Sequence, residues 1–136
     1  MTPDQVKLVQ DSFKAVLPIK AQAASLFYGR LFAIDPTTQP LFAKTEMTAQ
    51  GGKLMAAIAM VVNNLANPAA ILPVAKEMAQ RHLSYGVTRA QYDSVGAALL
   101  WALGQGLGSA FTPQVEAAWG AAYQLLAGVM VADAYG

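Results

Sequence analysis

The stretch Lys76–Val87, KEMAQRHLSYGV, contains His82, which is the only histidine among the 136 residues. Met78 and Ala79 precede it at helical spacing, so His82 falls on the apolar side of a predicted helix. Gly86 follows as the kind of residue that ends helices. Neutral imidazole is a good metal ligand, but a lone histidine is also an ordinary core or surface residue. The rest of the chain has to decide between these two interpretations.

The composition of the chain excludes several classes of functional site and partner. The length fits one domain, so we expect residues 1–136 to form a single domain. Formal net charge is +1 and no basic stripe is present, which argues against nucleic acid as a partner. The absence of cysteine excludes disulfides, iron–sulfur clusters, thiol catalysis and thiolate-bound zinc. It also fits a reducing compartment, and the N-terminal residues lack the apolar core of a signal peptide. We therefore expect a cytoplasmic protein.

Two long stretches without charge, residues 54–75 and 94–115, raise the question of a membrane. A spanning helix needs about 20 consecutive, mostly apolar residues. Asparagines and prolines interrupt the first stretch, and the cluster Gly104, Gln105, Gly106 and Gly108 interrupts the second. These stretches favour helices buried inside the protein, and no membrane partner is expected.

Helical spacing and punctuation predict an all-α chain of six to seven helices. Thr2 with Gln5, and Thr88 with Gln91, match the capping-box pattern at helix starts. The predicted helices lie near residues 3–17, 20–33, 46–66, 71–84, 89–107 and 113–132, with a turn or short tight helix at 35–40. Gly51-Gly52 lies inside a predicted helix, where glycine costs about 1 kcal/mol relative to alanine. Either the helix tolerates it, or a backbone or flat ligand comes close there.

A set of residues in fixed order resembles one protein family over essentially the whole chain. The set consists of Leu26–Phe32 (LFYGRLF), Pro40–Phe42, Gln50, Leu54, Arg81-His82, Tyr85–Val87, Tyr92 and Ala118-Trp119. It resembles the bacterial single-domain globins, and is most similar to Vitreoscilla-type haemoglobin and to the globin domains of flavohaemoglobins. The resemblance implies a globin fold built around a buried haem b.

The resemblance also implies a role for each matching position. His82 corresponds to the proximal ligand of the haem iron. Tyr28 and Gln50 correspond to the distal pair beside the bound gas. Phe42 corresponds to the aromatic stacked on the haem edge, and Leu54 to the apolar residue over the ligand. Further haem contacts on the proximal side are assigned to Val87, Tyr92 and Val95.

The chemistry of these residue types is consistent with such a site. Ferrous haem needs one strong axial nitrogen and one open position to bind dioxygen, carbon monoxide or nitric oxide. With one histidine in the chain, His82 leaves no second imidazole to close that position. The Tyr28 hydroxyl and the Gln50 amide are donors that stabilise the partial negative charge of bound dioxygen. We interpret Met47 and Met55, the alternative sixth ligands, as core residues.

Haem propionates need cations or hydrogen-bond donors at the edge of a pocket. The candidates are Lys44, Lys53, Arg81 and Tyr85, each of which is equally consistent with a solvated surface residue.

The chain departs from the flavohaemoglobin pattern behind the proximal histidine. There a tyrosine, matched by Tyr92, pairs with a glutamate of the last helix. The glutamate position falls on Ala134, and the neighbouring Asp133 is turned by about 100° in a helix with 3.6 residues per turn. A histidine bonded only to a backbone carbonyl donates less electron density to iron. Strong peroxidase-like activation is therefore not expected.

Three functions remain open on the sequence. The first is reversible dioxygen binding for storage, delivery or buffering. The second is nitric oxide dioxygenation with an external reductase, because 136 residues leave no room for a flavin or nicotinamide domain. The third is a globin-like gas-sensing module. Conventional hydrolase sites are not expected, since the serines share one histidine. Monomer and homodimer are equally compatible with the sequence.

Overall fold

Six α-helices and four short 3-10 helices form the chain, and the computed structural model describes residues 1–136 throughout. The α-helices are α1 (Pro3–Val16), α2 (Lys20–Ile34), α3 (Met47–Asn63), α4 (Leu72–Tyr85), α5 (Arg89–Leu107) and α6 (Pro113–Tyr135). The 3-10 helices are Leu17–Ile19, Pro36–Phe42, Pro68–Ala70 and Gly108–Ala110. The predicted all-α class and number of helices are confirmed.

Most helices begin and end near the capping, proline and glycine residues that predicted their ends. Gln5 N donates to Thr2 Oγ1 over 3.1 Å, and Thr2 N donates to Gln5 Oε1 over 3.0 Å. Gly86 ends α4 with φ 92°, a left-handed conformation that favours glycine. The prediction for α3 was wrong at its end, which lies at Asn63 and not near residue 66. The Asn64 side chain donates to the Met60 carbonyl and replaces the backbone bond that would continue the helix.

Packing between helices follows from their apolar faces. α2 packs mainly on α5, while α1 and α4 pack on α6. The larger core cluster includes Val9, Phe13 and Trp119, and joins residues of all six α-helices. A smaller cluster around Phe27 and Leu31 joins α2 to α5. The space that remains between these two clusters holds the candidate site.

α6 is long and apolar enough to cross a membrane by length and composition alone. Its residues Trp119 and Met130 are nevertheless buried against the rest of the protein, and it contacts α1, α4 and α5. The core helix of a globular domain has the same length and composition. Turns interrupt both uncharged stretches that the sequence singled out, near residues 64–71 and 108–112.

The two adjacent glycines of α3 have different explanations. A Cβ on Gly51 would lie 3.1 Å from the Cβ of Ala24, so Gly51 allows α3 to cross close to α2. A Cβ on Gly52 would meet nothing within 4 Å, so that glycine is merely tolerated. The crossing bears directly on the site, because Gln50 precedes Gly51 and Tyr28 lies one turn after Ala24.

Candidate functional site

A cavity of about 550 Å³ opens between the two core clusters, and its lining is mostly hydrophobic. Its walls come from α2, α3, α4, α5 and α6, and α3 and α4 make little direct contact with each other. The predicted site residues that line it are Tyr28, Phe42, Gln50, Lys53, Leu54, Arg81, His82, Tyr85, Val87, Tyr92 and Val95. The exposed Lys44 does not line it. Residues from separate helices thus meet at one place.

His82 lies half-buried in the last turn of α4. Its Nδ1 is 2.7 Å from the Met78 carbonyl oxygen. Because a carbonyl oxygen only accepts hydrogen bonds, Nδ1 carries the proton and Nε2 keeps a free lone pair. Burial lowers the pKa of His82, the Arg81 charge lowers it further, and the bond to Met78 partly opposes both. At neutral pH the lowered pKa favours the neutral imidazole, which is the form that ligates metals.

Tyr28 and Gln50 form a hydrogen-bonded pair on the cavity wall. Gln50 Nε2 donates to Tyr28 Oη over 3.2 Å. Tyr28 is buried, and burial raises its pKa although the bond from Gln50 lowers it. The phenol therefore stays protonated, and its oxygen is used as an acceptor. Its own O–H remains available to donate to a molecule in the cavity.

Phe42 belongs to an aromatic group beside this pair. Its ring centroid lies 5.3 Å from that of Tyr28 and 5.6 Å from that of Phe32. The Tyr28 ring also packs edge-on against Phe27 at 4.8 Å. These contacts explain why the polar connection between α2 and α3 carries a large aromatic residue. They fix one wall of the cavity with rigid side chains.

The region behind His82 contains hydroxyl groups but no neighbouring carboxylate. The Tyr92 ring centroid lies 6.4 Å from that of His82, and Tyr92 Oη is buried without a hydrogen-bond partner. Burial, with a smaller effect of Tyr135, raises the pKa of Tyr92 to about 12. The Tyr135 hydroxyl donates to the carbonyl of Val87.

The acid of the last helix points elsewhere. The Asp133 carboxylate accepts from Gln80 Nε2 over 2.9 Å on the surface. Asp133 therefore does not replace the missing glutamate, as the sequence predicted. The only hydrogen-bond acceptor that His82 Nδ1 contacts is the carbonyl of Met78.

The cavity mouth is positively charged. Lys53 and Arg81 line it with exposed side chains. The ion pairs of the chain are elsewhere and join Asp11 to Lys7 and Lys14. Tyr85, which is 66% exposed, adds a hydroxyl at the same edge. Anionic groups of a molecule in the cavity would find uncompensated cations here.

Several lining residues were not singled out as site residues from the sequence. Ile58 and Val61 lie one and two turns after Leu54, so helical spacing could have found them. Gln91 was explained by its capping-box pattern, and Thr38 lies in a segment without any repeat. Tertiary packing alone brings these last two to the cavity.

The donors present fit a flat, mainly apolar macrocycle that carries its own metal ligands. No group of three or more His, Cys, Asp or Glu side chains is placed to hold a bare metal ion. A single imidazole can provide only one axial bond, so the other ligands would have to come with the metal. The hydrophobic walls suit the ring, and Lys53 and Arg81 suit acidic substituents at the mouth.

Comparison with known proteins identifies the family of this chain. A model of the globin family matches residues 25–130. The chain belongs to the globin family. This globin is 32% identical over 124 residues to a flavohemoprotein of Rhodopirellula baltica, covering 87% of the chain and 30% of that protein. It is 34% identical over 127 residues to a flavohemoprotein of Rhizobium meliloti, covering 89% and 32%. The globin thus spans about a third of the length of the curated relatives it matches.

A third relative of the same kind is the flavohemoprotein of Halalkalibacterium halodurans, 34% identical over 124 residues and matched over 30% of its length. Globin membership together with relatives named as haem proteins supports a haem cofactor and gas binding at that haem. The single imidazole in an apolar cavity fits such a cofactor on structural grounds.

Proposed function

We propose that this globin binds haem b through His82 and reversibly binds dioxygen, carbon monoxide and nitric oxide, with dioxygen storage, delivery or buffering as its role. A bound haem would supply an iron that can take an imidazole nitrogen from the chain and a diatomic gas. The proposal depends on one observation. A neutral imidazole with a free Nε2 and a donor pair, Tyr28 with Gln50, line the same apolar cavity.

Each side chain has a defined task in this proposal. The Met78 carbonyl fixes the tautomer and orientation of His82. The Tyr28 O–H donates to a gas that gains negative charge, and the bond from Gln50 polarises that O–H and strengthens it as a donor. Leu54 and Phe42 exclude water from the cavity, which strengthens electrostatic interactions inside it.

The surroundings of His82 favour binding over oxidative chemistry. A carboxylate behind a ligating histidine raises its basicity, whereas a carbonyl does so only weakly. His82 contacts a carbonyl, and the Tyr92 hydroxyl beside it bonds to nothing. Strong electron donation from a ligating side chain would help a bound haem to cleave an O–O bond, so the weakly polarised His82 favours reversible binding.

Tyr28→Phe tests the distal donor. A buried hydrogen bond to a charged group is worth about 1.5–3 kcal/mol, so dioxygen affinity should fall about ten- to hundredfold. Carbon monoxide gains less charge, and its affinity should change far less. Flash photolysis and stopped-flow rates for both gases measure the difference. Tyr135→Phe, which removes a hydroxyl that does not line the cavity, serves as the matched control. An equal loss of affinity for dioxygen and carbon monoxide would count against Tyr28 as a hydrogen-bond donor to bound dioxygen.

A second candidate function is nitric oxide dioxygenation, favoured by the similarity to flavohemoproteins. Nitric oxide, dioxygen and one electron give nitrate, so turnover needs a reductase as electron donor. Rapid mixing of the reduced, air-equilibrated holoprotein with nitric oxide, with and without a flavin reductase, separates the two functions. Sustained nitrate formation only with the reductase supports the enzyme. A single turnover in both mixtures leaves gas binding as the function.

A third candidate is a gas-sensing module, in which occupancy of the cavity changes the affinity for a partner protein. Gas-dependent hydrogen exchange on the outer surface would favour it, and exchange confined to the cavity would oppose it. We also propose a cytoplasmic location, supported by the lack of cysteine.

A further inference from the structure

A group of polar side chains joins the connection between α2 and α3 to α5. We call Asp35, Thr37, Gln91 and Ser94 the polar clamp. Asp35 Oδ2 accepts from Ser94 Oγ over 2.7 Å. Asp35 Oδ1 accepts from Thr37 N over 3.2 Å and from the Thr37 hydroxyl. Gln91 Nε2 donates to Thr37 Oγ1 over 3.1 Å. Gln91 Nε2 also donates to the Thr37 carbonyl oxygen over 3.4 Å, so hydrogen bonds from Gln91 and from Ser94 tie this connection to α5.

The clamp residues form few hydrogen bonds or ion pairs outside the clamp. Asp35 forms no ion pair, so hydroxyls and a backbone amide compensate its carboxylate. Gln91 is 5% exposed, and its Oε1 accepts from Thr88 N over 2.8 Å. Both ends of this buried amide are thus satisfied, one within α5 and one on Thr37. A buried polar group is costly unless it is paired, so the contact between Gln91 and Thr37 resists separation.

The clamp lies beside two walls of the cavity. The Pro36–Phe42 helix contributes Thr38, Leu41 and Phe42 to the lining. On α5, Tyr92 and Val95 line the cavity and directly follow the clamp residues Gln91 and Ser94. A 3-10 helix has poorer hydrogen-bond geometry than an α-helix. Without the clamp, little besides side-chain packing would hold this short helix in register with α5.

We propose that the polar clamp is a positioning device that holds the Phe42 wall against α5 and thereby slows the release of a bound haem. Asp35, Thr37 and Ser94 are positioning residues because they do not line the cavity, whereas Gln91 both lines the cavity and bonds to Thr37. This inference rests on the proposed haem function. It assigns retention of the cofactor to the hydrogen bonds that tie the Phe42 wall to α5, in addition to the bond at His82.

Ser94→Ala tests the clamp with the smallest change. The rate of haemin transfer from the ferric holoprotein to excess haem-free myoglobin should rise about tenfold, the effect of losing one hydrogen bond to a charged group. Ser94→Thr keeps a hydroxyl and should restore the rate to within about twofold of the unchanged protein. Ser25→Ala, an exposed serine of α2, is the matched control and should leave the rate unchanged. A transfer rate for Ser94→Ala equal to that control would overturn the proposal.

A second measurement separates positioning from general stability. In the haem-free protein, Ser94→Ala should speed amide hydrogen exchange at residues 36–42 more than in the rest of the chain, when each is compared with Ser25→Ala. An increase of exchange that is the same throughout the chain, with no excess at residues 36–42, would overturn the proposal. If the unchanged protein took up no haemin, the proposed function would fail, while the exchange experiment would still decide whether the clamp holds the helix.

Discussion

At the scale of single residues, two tyrosines mark different parts of the cavity. Tyr28 accepts a bond from Gln50 and keeps its proton for donation, whereas Tyr92 Oη is buried without a partner. A buried hydroxyl that is left unpaired costs roughly 1–3 kcal/mol of desolvation. The hydroxyl of Tyr92 therefore weakens the fold of this globin, since the acid that pairs with it in the flavohaemoglobin pattern is replaced by Ala134.

Tyr92→Phe should leave the free energy of unfolding unchanged or raise it by about 1 kcal/mol, because it removes an unsatisfied group and keeps the ring. Tyr123→Phe is the matched control, since the Tyr123 hydroxyl donates to the Tyr92 carbonyl. The free energy of unfolding of Tyr123→Phe should fall by about 1 kcal/mol. Urea denaturation of the haem-free proteins measures both. An equal loss in the two variants would show that Tyr92 has a partner after all.

Individual site residues differ in how far the sequence could predict them. The ordered resemblance pointed to His82, Tyr28 and Gln50, and all three line one cavity. Gln91 also lines it and joins the clamp, but its capping-box position already gave it a sufficient explanation. When a residue has a local and a long-range role, the sequence pattern reveals only the local role. The contact between Gln91 and Thr37 spans 54 positions and follows no local pattern.

At the scale of helices, the crossing of α2 and α3 sets the position of the Tyr28–Gln50 pair. Gly51 brings the two helices together, with Ala24 as the opposing residue. The sequence left two explanations open for Gly51-Gly52, tolerance or a close backbone or ligand. Tolerance holds for Gly52, and the close neighbour of Gly51 is the helix α2. Only the glycine that faces α2 has to be small. The pattern of apolar residues shows roughly which side of α3 faces the core, but it does not show which of two adjacent residues lies closest to α2.

Gly51→Ala and Gly52→Ala form a matched pair within one helix. Gly52→Ala should raise the free energy of unfolding by up to about 1 kcal/mol, because alanine favours a helix and the space is open. Gly51→Ala should be at least about 1 kcal/mol less stable than Gly52→Ala, because its Cβ forces α3 away from α2.

Thermal denaturation and dioxygen dissociation rates check this pair. Gly51→Ala should also speed dioxygen release, since it separates Gln50 from Tyr28, whereas Gly52→Ala should not. Equal stability and equal release rates in the two variants would contradict the proposed importance of the crossing.

The start of α3 depends on the charge of Glu46. Its carboxylate accepts from Thr48 N over 3.1 Å and from Ala49 N over 2.6 Å, and these bonds lower the pKa of Glu46 below its usual 4.5. A carboxyl whose pKa is lower in the folded state stabilises the fold above its unfolded pKa and loses that effect as the pH falls. Glu46→Gln should therefore be less stable than the unchanged protein at pH 7. The difference should shrink below pH 4.5 and vanish in stronger acid.

Urea midpoints measured between pH 7 and pH 3 check the Glu46 prediction. Glu116→Gln, in the first turn of α6 where Thr112 supplies the cap, is a suitable control with a smaller expected effect. A difference between Glu46→Gln and the unchanged protein that stays constant over this range would contradict the sign of the effect.

At the scale of the whole molecule, the fold was more predictable than the cavity. Proline, glycine and capping residues place the helix ends locally, so the all-α architecture could be predicted from the chain alone. The pairing of α1 and α4 with α6 depends on long-range packing, as does the separation of α3 from α4 that leaves space for a cofactor. The resemblance to globins predicted a globin fold around a buried cofactor, and the match to the globin family over residues 25–130 confirms the family.

The central claim is that His82 is the only protein ligand of a haem iron in this cavity. The most direct measurement is the absorption spectrum of the ferrous protein after titration with haemin, for the unchanged chain and for His82→Gly with and without imidazole. We predict saturation at one haem per chain, loss of the five-coordinate ferrous spectrum in His82→Gly, and its recovery when free imidazole replaces the missing side chain. An unchanged spectrum in His82→Gly without imidazole, or no haem uptake by the unchanged chain, would contradict the claim.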